Sequence, residues 1–302
     1  MIIVRLRGGL GNQLFAYSVA RSLGLRNNVE VVLDDTSGFS YDHKYQRFFQ
    51  LDHFKIPCRR ALRSECLEPF SRIRRYILRR WNDHIPFSDR SYLCQEGVDF
   101  DTRILDLKPT GTLYLEGYWQ SEEYFKDAEQ AIRNDLQIIP PSDMPNLSMV
   151  EKINESATAV AVHVRFFDEP QTAPLTKSKD AEDNNAPSDY YHRALCEMEK
   201  RAPNAHYYVF SDRPEAARAR IPLPDERVTL VDHNQGDAMA YADLWLMSQC
   251  SHFIIANSTF SWWGAWLSSN SDKVVIAPDF KSAGGVSSWG FTGLIPDKWI
   301  KL

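Results

Sequence analysis

The amino-acid sequence predicts an α/β protein with two domains, each built around a parallel sheet. Short apolar runs typical of buried strands alternate with helical segments along most of the 302 residues. A proline-rich stretch, 138–145, interrupts this alternation near the middle of the chain. We therefore expect one domain at 1–145 and a second at 146–302, with their parallel sheets facing a cleft at the carboxyl ends of the strands.

The first domain opens with an apolar run at 2–7, which predicts a buried strand, and a helix follows at 14–25. A second apolar run, 29–33, predicts the next strand. The sequence is then irregular until a strand at 112–118 and an amphipathic helix at 122–136. Strands that are separated in this way by helices pair in parallel, because parallel neighbours need long connections.

The same alternation begins again after a helix near 148–154. The strands expected in the second domain are 157–163, 206–210, 228–231, 252–256 and 273–277. The helices expected between them are 188–201, 215–220, 238–249 and 260–267. This order predicts a parallel sheet with helices on both faces. The polar stretch 173–187 predicts a surface loop.

Composition argues against several classes of protein. A net charge of -5 and a pI near 5.9 are not those of a dedicated nucleic-acid binder. The five cysteines are scattered, odd in number and without the paired spacing of metal ligands, so we expect neither a disulfide framework nor a zinc site. No apolar stretch is long enough to span a membrane, and Met1 leads directly into a strand rather than a signal peptide. We expect a soluble cytoplasmic protein.

A glycine-rich loop, residues 8–13 (Gly-Gly-Leu-Gly-Asn-Gln), joins the first strand to the first helix. Such a loop aims backbone N–H groups and a helix N-terminus at an anion, often a nucleotide phosphate. Gly9 and Gly11 match the first two glycines of the dinucleotide-binding fingerprint, but Leu14 occupies the third position. The loop therefore indicates a nucleotide-handling protein, with a dinucleotide enzyme and a plain structural turn as the alternatives.

Three further motifs follow strands of the second domain. Arg165 and Asp168 follow the first strand, residues 211–212 follow the next, and residues 257–260 follow a later one. Because the carboxyl ends of parallel strands lie at one edge of a sheet, we expect these polar groups to share a ligand site. Taken singly, each motif has a plainer interpretation: a local ion pair, a turn and a helix N-cap.

These motifs resemble those of glycosyltransferase family 11, the bacterial α-1,2-fucosyltransferases, and the resemblance covers most of the chain. It rests on residues 8–15, 117–125, 210–212 and 246–266. It implies a GT-B fold of two Rossmann-like domains and an inverting transfer of L-fucose from GDP-fucose to the 2-hydroxyl of a terminal galactose, in O-antigen or surface-glycan biosynthesis. The family usually carries His-x-Arg-Arg-x-Asp, whereas Phe166 replaces the second arginine here.

The resemblance also implies site residues. Arg165, Asp168 and Asn12 would act in catalysis. His163 and Asp243 would border the guanine, although Asp243 is alternatively a surface acid on a helix. The implied donor-binding residues are Gly9, Gly11, Asn12, His163, Arg165, Ser211, Asp212, Asp243, Asn257, Ser258, Thr259 and Phe260.

The reaction needs positive charge at the leaving diphosphate and a base near the acceptor hydroxyl. Arg165 can supply the charge, so we expect no metal and no cofactor, GDP-fucose being a substrate. Asp99 and Asp101 match the Asp-x-Asp pattern of metal-dependent transferases, but they lie in irregular sequence and predict a solvated turn. Asp168 is the first candidate for the base and Glu116, at the end of its strand, is the second.

Eight arginines but only two acids occupy residues 59–80. Phe70, Ile73, Ile77 and Trp81 would share one face of a helix there. A basic, amphipathic helix suits an anionic membrane surface, so we expect peripheral contact through 59–81 with the inner face of a membrane. The alternative is a helix that packs this stripe on the first domain.

The expected partners are GDP-fucose and a galactose-terminated oligosaccharide or lipid-linked glycan, without nucleic acid. Two other functions stay open. One is a fucosyltransferase of another linkage or an enzyme that uses another GDP-sugar. The other is a glycan-binding protein without turnover, which the Phe166 replacement makes conceivable.

Overall fold

Two parallel sheets organise the chain in this computed structural model, one in each of two units. The structure describes residues 1–40, 42–43, 45–82, 84–166, 185–281 and 289–302. Unit 1 comprises Met1–Ile139 and Thr292–Leu294, and unit 2 comprises Pro140–Phe291 and Ile295–Leu302. Most of the loop expected at 173–187 lies outside the described residues.

The sheet of unit 1 has the strand order β3-β2-β1-β5-β4, and every neighbouring pair is parallel. Its strands are β1 (Ile2–Arg5), β2 (Val31–Asp34), β3 (Arg59–Arg60), β4 (Tyr92–Cys94) and β5 (Leu113–Glu116). Its helices are α1 (Leu10–Asn27), α2 (Ser71–Asn82) and α3 (Glu129–Asp135). The predicted parallel sheet is confirmed, and β3 and β4 come from sequence that we had interpreted as irregular.

Two helices of unit 1 differ from their predicted bounds. Helix α1 begins at Leu10 rather than at residue 14, because Gly9 has the extended backbone of an N-cap and no proline follows it. The helix predicted at 122–136 is instead two short 3-10 turns followed by α3. Phe125 interrupts it with a non-helical backbone (φ -132°, ψ 12°) that directs its fully buried ring toward Phe15, at a centroid distance of 6.3 Å.

A buried carboxylate, Glu116, ties three strands and a helix of unit 1 together. It accepts hydrogen bonds from Arg5 at 2.9 Å, from Arg75 at 2.8 Å and from the Tyr92 hydroxyl. Burial alone would raise the pKa of Glu116, but the Tyr92 hydrogen bond and the charges of Arg5 and Arg75 outweigh it and hold the pKa below its usual value. Glu116 is therefore a structural anion already bound by three donors, which argues against its candidacy as the catalytic base.

A short segment near the end of the chain completes unit 1. The Thr292 backbone N–H donates to Asp99 at 2.8 Å, and the Phe100 N–H donates to the Thr292 carbonyl at 3.1 Å. The next residue, Gly293, has a φ of +88°, and a Cβ there would lie 2.8 Å from the Phe100 Cβ. The tight fit and the fully buried Leu294 show that this segment is part of the unit's packing.

The sheet of unit 2 has the order β11-β10-β9-β6-β7-β8, and its pairs are also parallel. Its strands are β6 (Ala159–Val164), β7 (His206–Ser211), β8 (Val228–Val231), β9 (His252–Ile254), β10 (Val275–Ala277) and β11 (Ile300–Lys301). Its helices are α4 (Met144–Glu155), α5 (Ser188–Arg201), α6 (Pro214–Arg218), α7 (Ala240–Gln249) and α8 (Thr259–Leu267). The strands and helices predicted here are confirmed to within a few residues, except α4, which begins earlier because Asp143 caps it.

Helices cover both faces of this second sheet, as the alternation predicts. Val160, Val162 and Val164 point to one face, where they share a core cluster with residues of α5 and α6. The alternate residues contact other helices: His163 bonds to Ser261 of α8, and the Tyr208 hydroxyl donates to the Lys152 carbonyl of α4. A strand with both faces covered is apolar throughout, which explains the uninterrupted apolar runs.

We expect Glu116→Ala to destabilise unit 1 by about 3–5 kcal/mol, since it leaves the buried Arg5 guanidinium unpaired. Because the fold lowers the pKa of Glu116, its contribution to stability is present near neutral pH and is lost as the pH falls below the usual pKa of a glutamate and through the lowered pKa of the folded state. Urea unfolding with hydrogen exchange of the β1 and β5 amides measures the loss. Glu96→Ala, which removes the ion pairs of an exposed carboxylate with Arg90 and Arg103, is the control and is expected to cost little. An equal effect of both variants would contradict the structural role of Glu116.

Candidate active site

The strand order of unit 2 reverses between two adjacent strands, β6 and β9. From β6 the chain continues to β7 and β8 on one side, and from β9 it continues to β10 and β11 on the other. Ligands of open parallel sheets bind at such a switch point, outside the carboxyl ends of the strands. Arg165 directly follows β6, and residues 257–258 follow β9. The topology therefore supports the sequence-based prediction that these motifs lie at one edge of the sheet.

His163, near the end of β6, is buried and neutral. Its Nδ1 and the Ser261 hydroxyl are 2.9 Å apart, and its ring lies 5.5 Å from that of Phe260. Burial, reinforced by the charge of Arg165, lowers the pKa of His163 to about 3. It therefore does not take up a proton near neutral pH, and it connects β6 to the first turn of α8.

Arg165 and Asp212 form an ion pair across the ends of β6 and β7, with 3.1 Å between Nη1 and Oδ2. The other oxygen of Asp212 accepts the Phe166 backbone N–H at 3.3 Å. The Arg165 side chain is 30% exposed, so its guanidinium is oriented by Asp212 and is still accessible from solvent. The neighbouring Ser211 hydroxyl accepts the Arg213 N–H at 3.0 Å, which makes it part of the turn.

Phe166, the residue that departs from the family pattern, lies close to two arginines that the sequence analysis did not identify. The guanidinium carbon of Arg220 is 4.5 Å from the centre of its ring, and that of Arg213 is 6.0 Å away. Positive charge is thus present beside Phe166 although the second arginine of the motif is missing. No motif spacing indicates this, since Arg220 approaches the ring only once β6 and β7 have paired.

Helix α8 begins at the second strand end of the switch point. Ser258 is its N-cap, and the hydroxyl oxygen accepts the Phe260 N–H at 3.3 Å. The plain N-cap interpretation of Ser258 is thereby confirmed, whereas a donor contact of Ser258, Thr259 or the buried Asn257 stays a prediction. Gly264 lets this helix pack closely on α7, because a Cβ there would lie 2.3 Å from the Met247 sulfur.

Asp243, on α7, belongs to a separate polar network. Its Oδ1 accepts Nδ2 of Asn234 at 2.9 Å, and Asn234 is in turn bonded to the buried Asn146. Burial raises the pKa of Asp243 to about 7, partly offset by the Asn234 hydrogen bond. Its described hydrogen bond runs to Asn234 rather than to the His163 group, so a shared guanine site for Asp243 and His163 stays a prediction.

The glycine loop of unit 1 lies at the switch point of the other sheet, between β1 and β5. Gly8 has a φ of +74°, and a Cβ there would lie 2.9 Å from the Asn12 side chain and 3.3 Å from the Tyr118 hydroxyl. Asn12 Oδ1 accepts Nε2 of Gln120 at 2.8 Å. Two segments of the family pattern, 8–15 and 117–125, are therefore in direct contact at this edge.

Gln13 and two arginines near the glycine loop were not assigned roles from the sequence. Gln13 is fully buried, donates to the Gly8 and Phe48 carbonyls and accepts the Gln50 N–H, so its amide is structural. Arg7 lies 4.5 Å over the Tyr118 ring, and the guanidinium carbon of Arg47 is 3.7 Å from the position of a Cβ on Gly9. Arg7 could have been identified from the sequence as a residue of this edge, because it lies between β1 and the glycine loop.

The carboxylates considered for metal binding or as a base are placed as follows. Asp101 pairs with Arg103 at 2.7 Å, whose hydrogen bond lowers the pKa of Asp101, and Asp99 accepts the Thr292 N–H. Both carboxylates thus have partners in the protein, and the described residues contain no group of three or more His, Cys, Asp or Glu suited to a metal ion. Asp168 lies outside the described residues.

Comparisons with known proteins agree with this arrangement. Residues 1–286 match the model of "Glycosyl transferase family 11". The chain is 27% identical to an Escherichia coli "Alpha-1,2-colitosyltransferase" over 100% of its own length and 99% of that protein's. It is 29% identical to the Escherichia coli "O-antigen biosynthesis glycosyltransferase WbnK" over 98% of its own length and 99% of that protein's.

Solved structures show the same fold at low sequence identity. The "NodZ alpha-1,6-fucosyltransferase soaked with GDP-fucose" matches with a TM-score of 0.50 and 15% identity over 88% of this chain and 91% of that one. Arabidopsis thaliana FUT1 in complex with GDP matches with a TM-score of 0.52 and 12% identity over 91% of this chain and 69% of that one. The fold is of the GT-B type, and within the described residues no helix is long and apolar enough to cross a membrane. With a family match that extends over nearly its whole length, the chain belongs to glycosyltransferase family 11.

Proposed function

We propose that the enzyme transfers L-fucose from GDP-fucose to the 2-hydroxyl of a terminal galactose, with inversion at the anomeric carbon. The observation that carries the proposal is Arg165, held by Asp212 at the switch point of unit 2 in a family 11 chain. The name of the colitosyltransferase specifies an α-1,2 linkage, which supports transfer to a 2-hydroxyl. The NodZ structure is named as soaked with GDP-fucose, which supports GDP-fucose as the sugar donor.

In this mechanism the bond from fucose C1 to the β-phosphate oxygen breaks, and its electron pair leaves with GDP. Arg165 meets the growing charge with two N–H groups, which a planar guanidinium can direct at two phosphate oxygens. At 4 Å and an effective dielectric constant near 20, one such charge pair is worth roughly 4 kcal/mol. The N-terminus of α8, with Ser258 and Thr259, adds partial positive charge.

The remaining site residues are proposed on the same grounds. Asp243 accepts from guanine N–H groups beside the neutral His163, and Asp168 takes the proton of the acceptor hydroxyl as fucose is transferred. Gly9, Gly11 and Asn12 contact substrate from the switch point of unit 1.

The acceptor is a galactose-terminated oligosaccharide or lipid-linked glycan, the class that the name of the O-antigen relative suggests. We also propose a cytoplasmic location, which the scattered and odd-numbered cysteines of the sequence suggest.

A second candidate function is the transfer of colitose. It is supported by the relative named as a colitosyltransferase, whose match covers the whole of this chain. The deciding experiment offers GDP-fucose and a colitosyl donor separately with a panel of galactosides, and determines the product linkage by NMR. Fucose on the galactose 2-hydroxyl is the expected result. A product only from the colitosyl donor would establish the second candidate, and ligand binding without any product would indicate a glycan-binding protein.

We expect Arg165→Ala to lower kcat by about 100-fold or more, the scale observed when one group that stabilises developing charge is removed. Arg165→Lys should recover little of the loss, because a point charge does not reproduce the two-pronged contact. Steady-state kinetics with thermal unfolding measure both effects. Arg193→Ala, which removes an exposed ion pair on α5, is the matched control. Turnover like that of the wild type in either Arg165 variant would remove this residue from the mechanism.

We expect GDP affinity to fall as the pH drops below about 7, because a protonated Asp243 cannot accept two guanine N–H groups. The same raised pKa makes ionisation of Asp243 costly in the unliganded protein, so the contribution of this residue to stability is greatest below the usual pKa of a carboxyl group and is lost as the pH rises to about 7. Calorimetric titration with GDP and thermal unfolding across this range test both trends. Asp243→Asn should bind weakly and independently of pH, whereas Asp272→Asn, on an exposed turn, should behave as the wild type does. A pH-independent wild type would refute the assignment.

Transfer should not require a divalent metal. We expect EDTA to change the single-turnover rate by no more than about twofold, because Arg165 and the α8 terminus already oppose the leaving charge. Asp99→Asn combined with Asp101→Asn should be nearly neutral for this rate, because an asparagine oxygen can still accept the Thr292 N–H and Asp101 forms a local ion pair with Arg103. A large loss with EDTA that manganese restores, and that is absent in the double variant, would make these aspartates metal ligands.

A further inference from the structure

Helix α2 presents its apolar side chains outward. Five large side chains in and beside this helix are more than half exposed: Phe70 (69%), Ile73 (59%), Tyr76 (66%), Ile77 (55%) and Trp81 (68%). Phe70, Ile73, Ile77 and Trp81 recur at helical spacing and form one continuous stripe, about 16 Å long at 1.5 Å per residue. The alternative in which this stripe packs on the first domain is wrong.

Polar contacts hold the opposite side of α2 against the sheet. Arg75 donates to the buried Glu116 at 2.8 Å, and Arg79 donates to the Tyr92 hydroxyl at 3.3 Å. Asn82 is buried and donates to the Tyr92 carbonyl. Rotating the stripe inward would remove these partners and leave Glu116 with less of its compensating charge. The outward orientation is therefore fixed by the unit itself.

Positive charge surrounds the outward face. The helix carries five arginines and no acidic residue. Arg72, Arg74 and Arg80 are exposed beside the stripe. A shallow cavity of about 510 Å³ along one flank is lined by Arg72, Ile73, Arg75, Tyr76 and Arg79. Guanidinium groups next to aliphatic and aromatic side chains match a surface that offers phosphates above a hydrocarbon layer.

We propose that the outward face of α2 binds an anionic lipid bilayer. The stripe enters the boundary between headgroups and acyl chains, and the flanking arginines contact lipid phosphates. A second copy of the chain is a poorer occupant, because it would bring the arginines of one α2 against those of the other, and the helix itself carries no acid to pair them. The proposal does not depend on which sugar the enzyme transfers.

The test is sedimentation of the full-length protein with phosphatidylcholine vesicles, with and without phosphatidylglycerol, in the absence of donor and acceptor. The wild type is expected to bind the anionic vesicles at least about tenfold more tightly, since each arginine near the surface contributes about fivefold. Ile77→Ser with Trp81→Ser should abolish binding to both vesicles, and Arg72→Glu with Arg80→Glu should abolish the preference for anionic lipid.

Two controls make the result specific. Met144→Ser removes an equally exposed apolar side chain (73%) from α4, and Arg193→Glu reverses an exposed charge on α5. Neither should change vesicle binding. All variants should retain the transfer rate of the wild type to a soluble galactoside, which shows that they are folded. Vesicle binding that the α2 variants do not weaken would overturn the proposal, as would a wild-type dimer that Trp81→Ser dissociates.

Discussion

The buried carboxylate of Glu116 is the interaction on which unit 1 depends. One charge at the end of β5 binds an arginine of β1, an arginine of α2 and a tyrosine of β4. A buried anion is tolerated only when several donors surround it, so the elements that supply those donors have little freedom in their placement. The same requirement keeps the arginine side of α2 on the sheet and its apolar side in solvent.

In both sheets, the family motifs lie at the point where the strand order reverses. In unit 1 the reversal brings the glycine loop beside Tyr118, and in unit 2 it brings His163, near the end of β6, against Ser261 in the first turn of α8. Backbone topology thus explains why segments far apart in sequence share an edge. The side chains then differ in purpose: Gln13 and His163 stabilise the edge from within, whereas Arg165 is oriented and accessible.

The strands and most helices could be predicted from sequence because their signals are local: apolar runs, glycines and caps. What could not be predicted comes from contacts across the fold. Strand β3 is only two exposed residues, and it forms because β2 offers a free edge to Arg59 and Arg60. The contact of Arg220 with Phe166 likewise depends on segments far apart in sequence, which residue spacing does not encode. Spacing does predict the apolar stripe of α2, but the choice between its packed and its outward orientation depends on the distant partner Glu116.

The segment Thr292–Leu294 has a consequence for biosynthesis. In unit 1 these three residues donate to Asp99 and pack against Phe100, yet they are translated almost 200 residues later. During synthesis on the ribosome, unit 1 therefore cannot complete its packing until most of unit 2 has been translated. Neither unit is a single continuous stretch of sequence. A fragment that ends at Ile139 would lack part of the interior of unit 1.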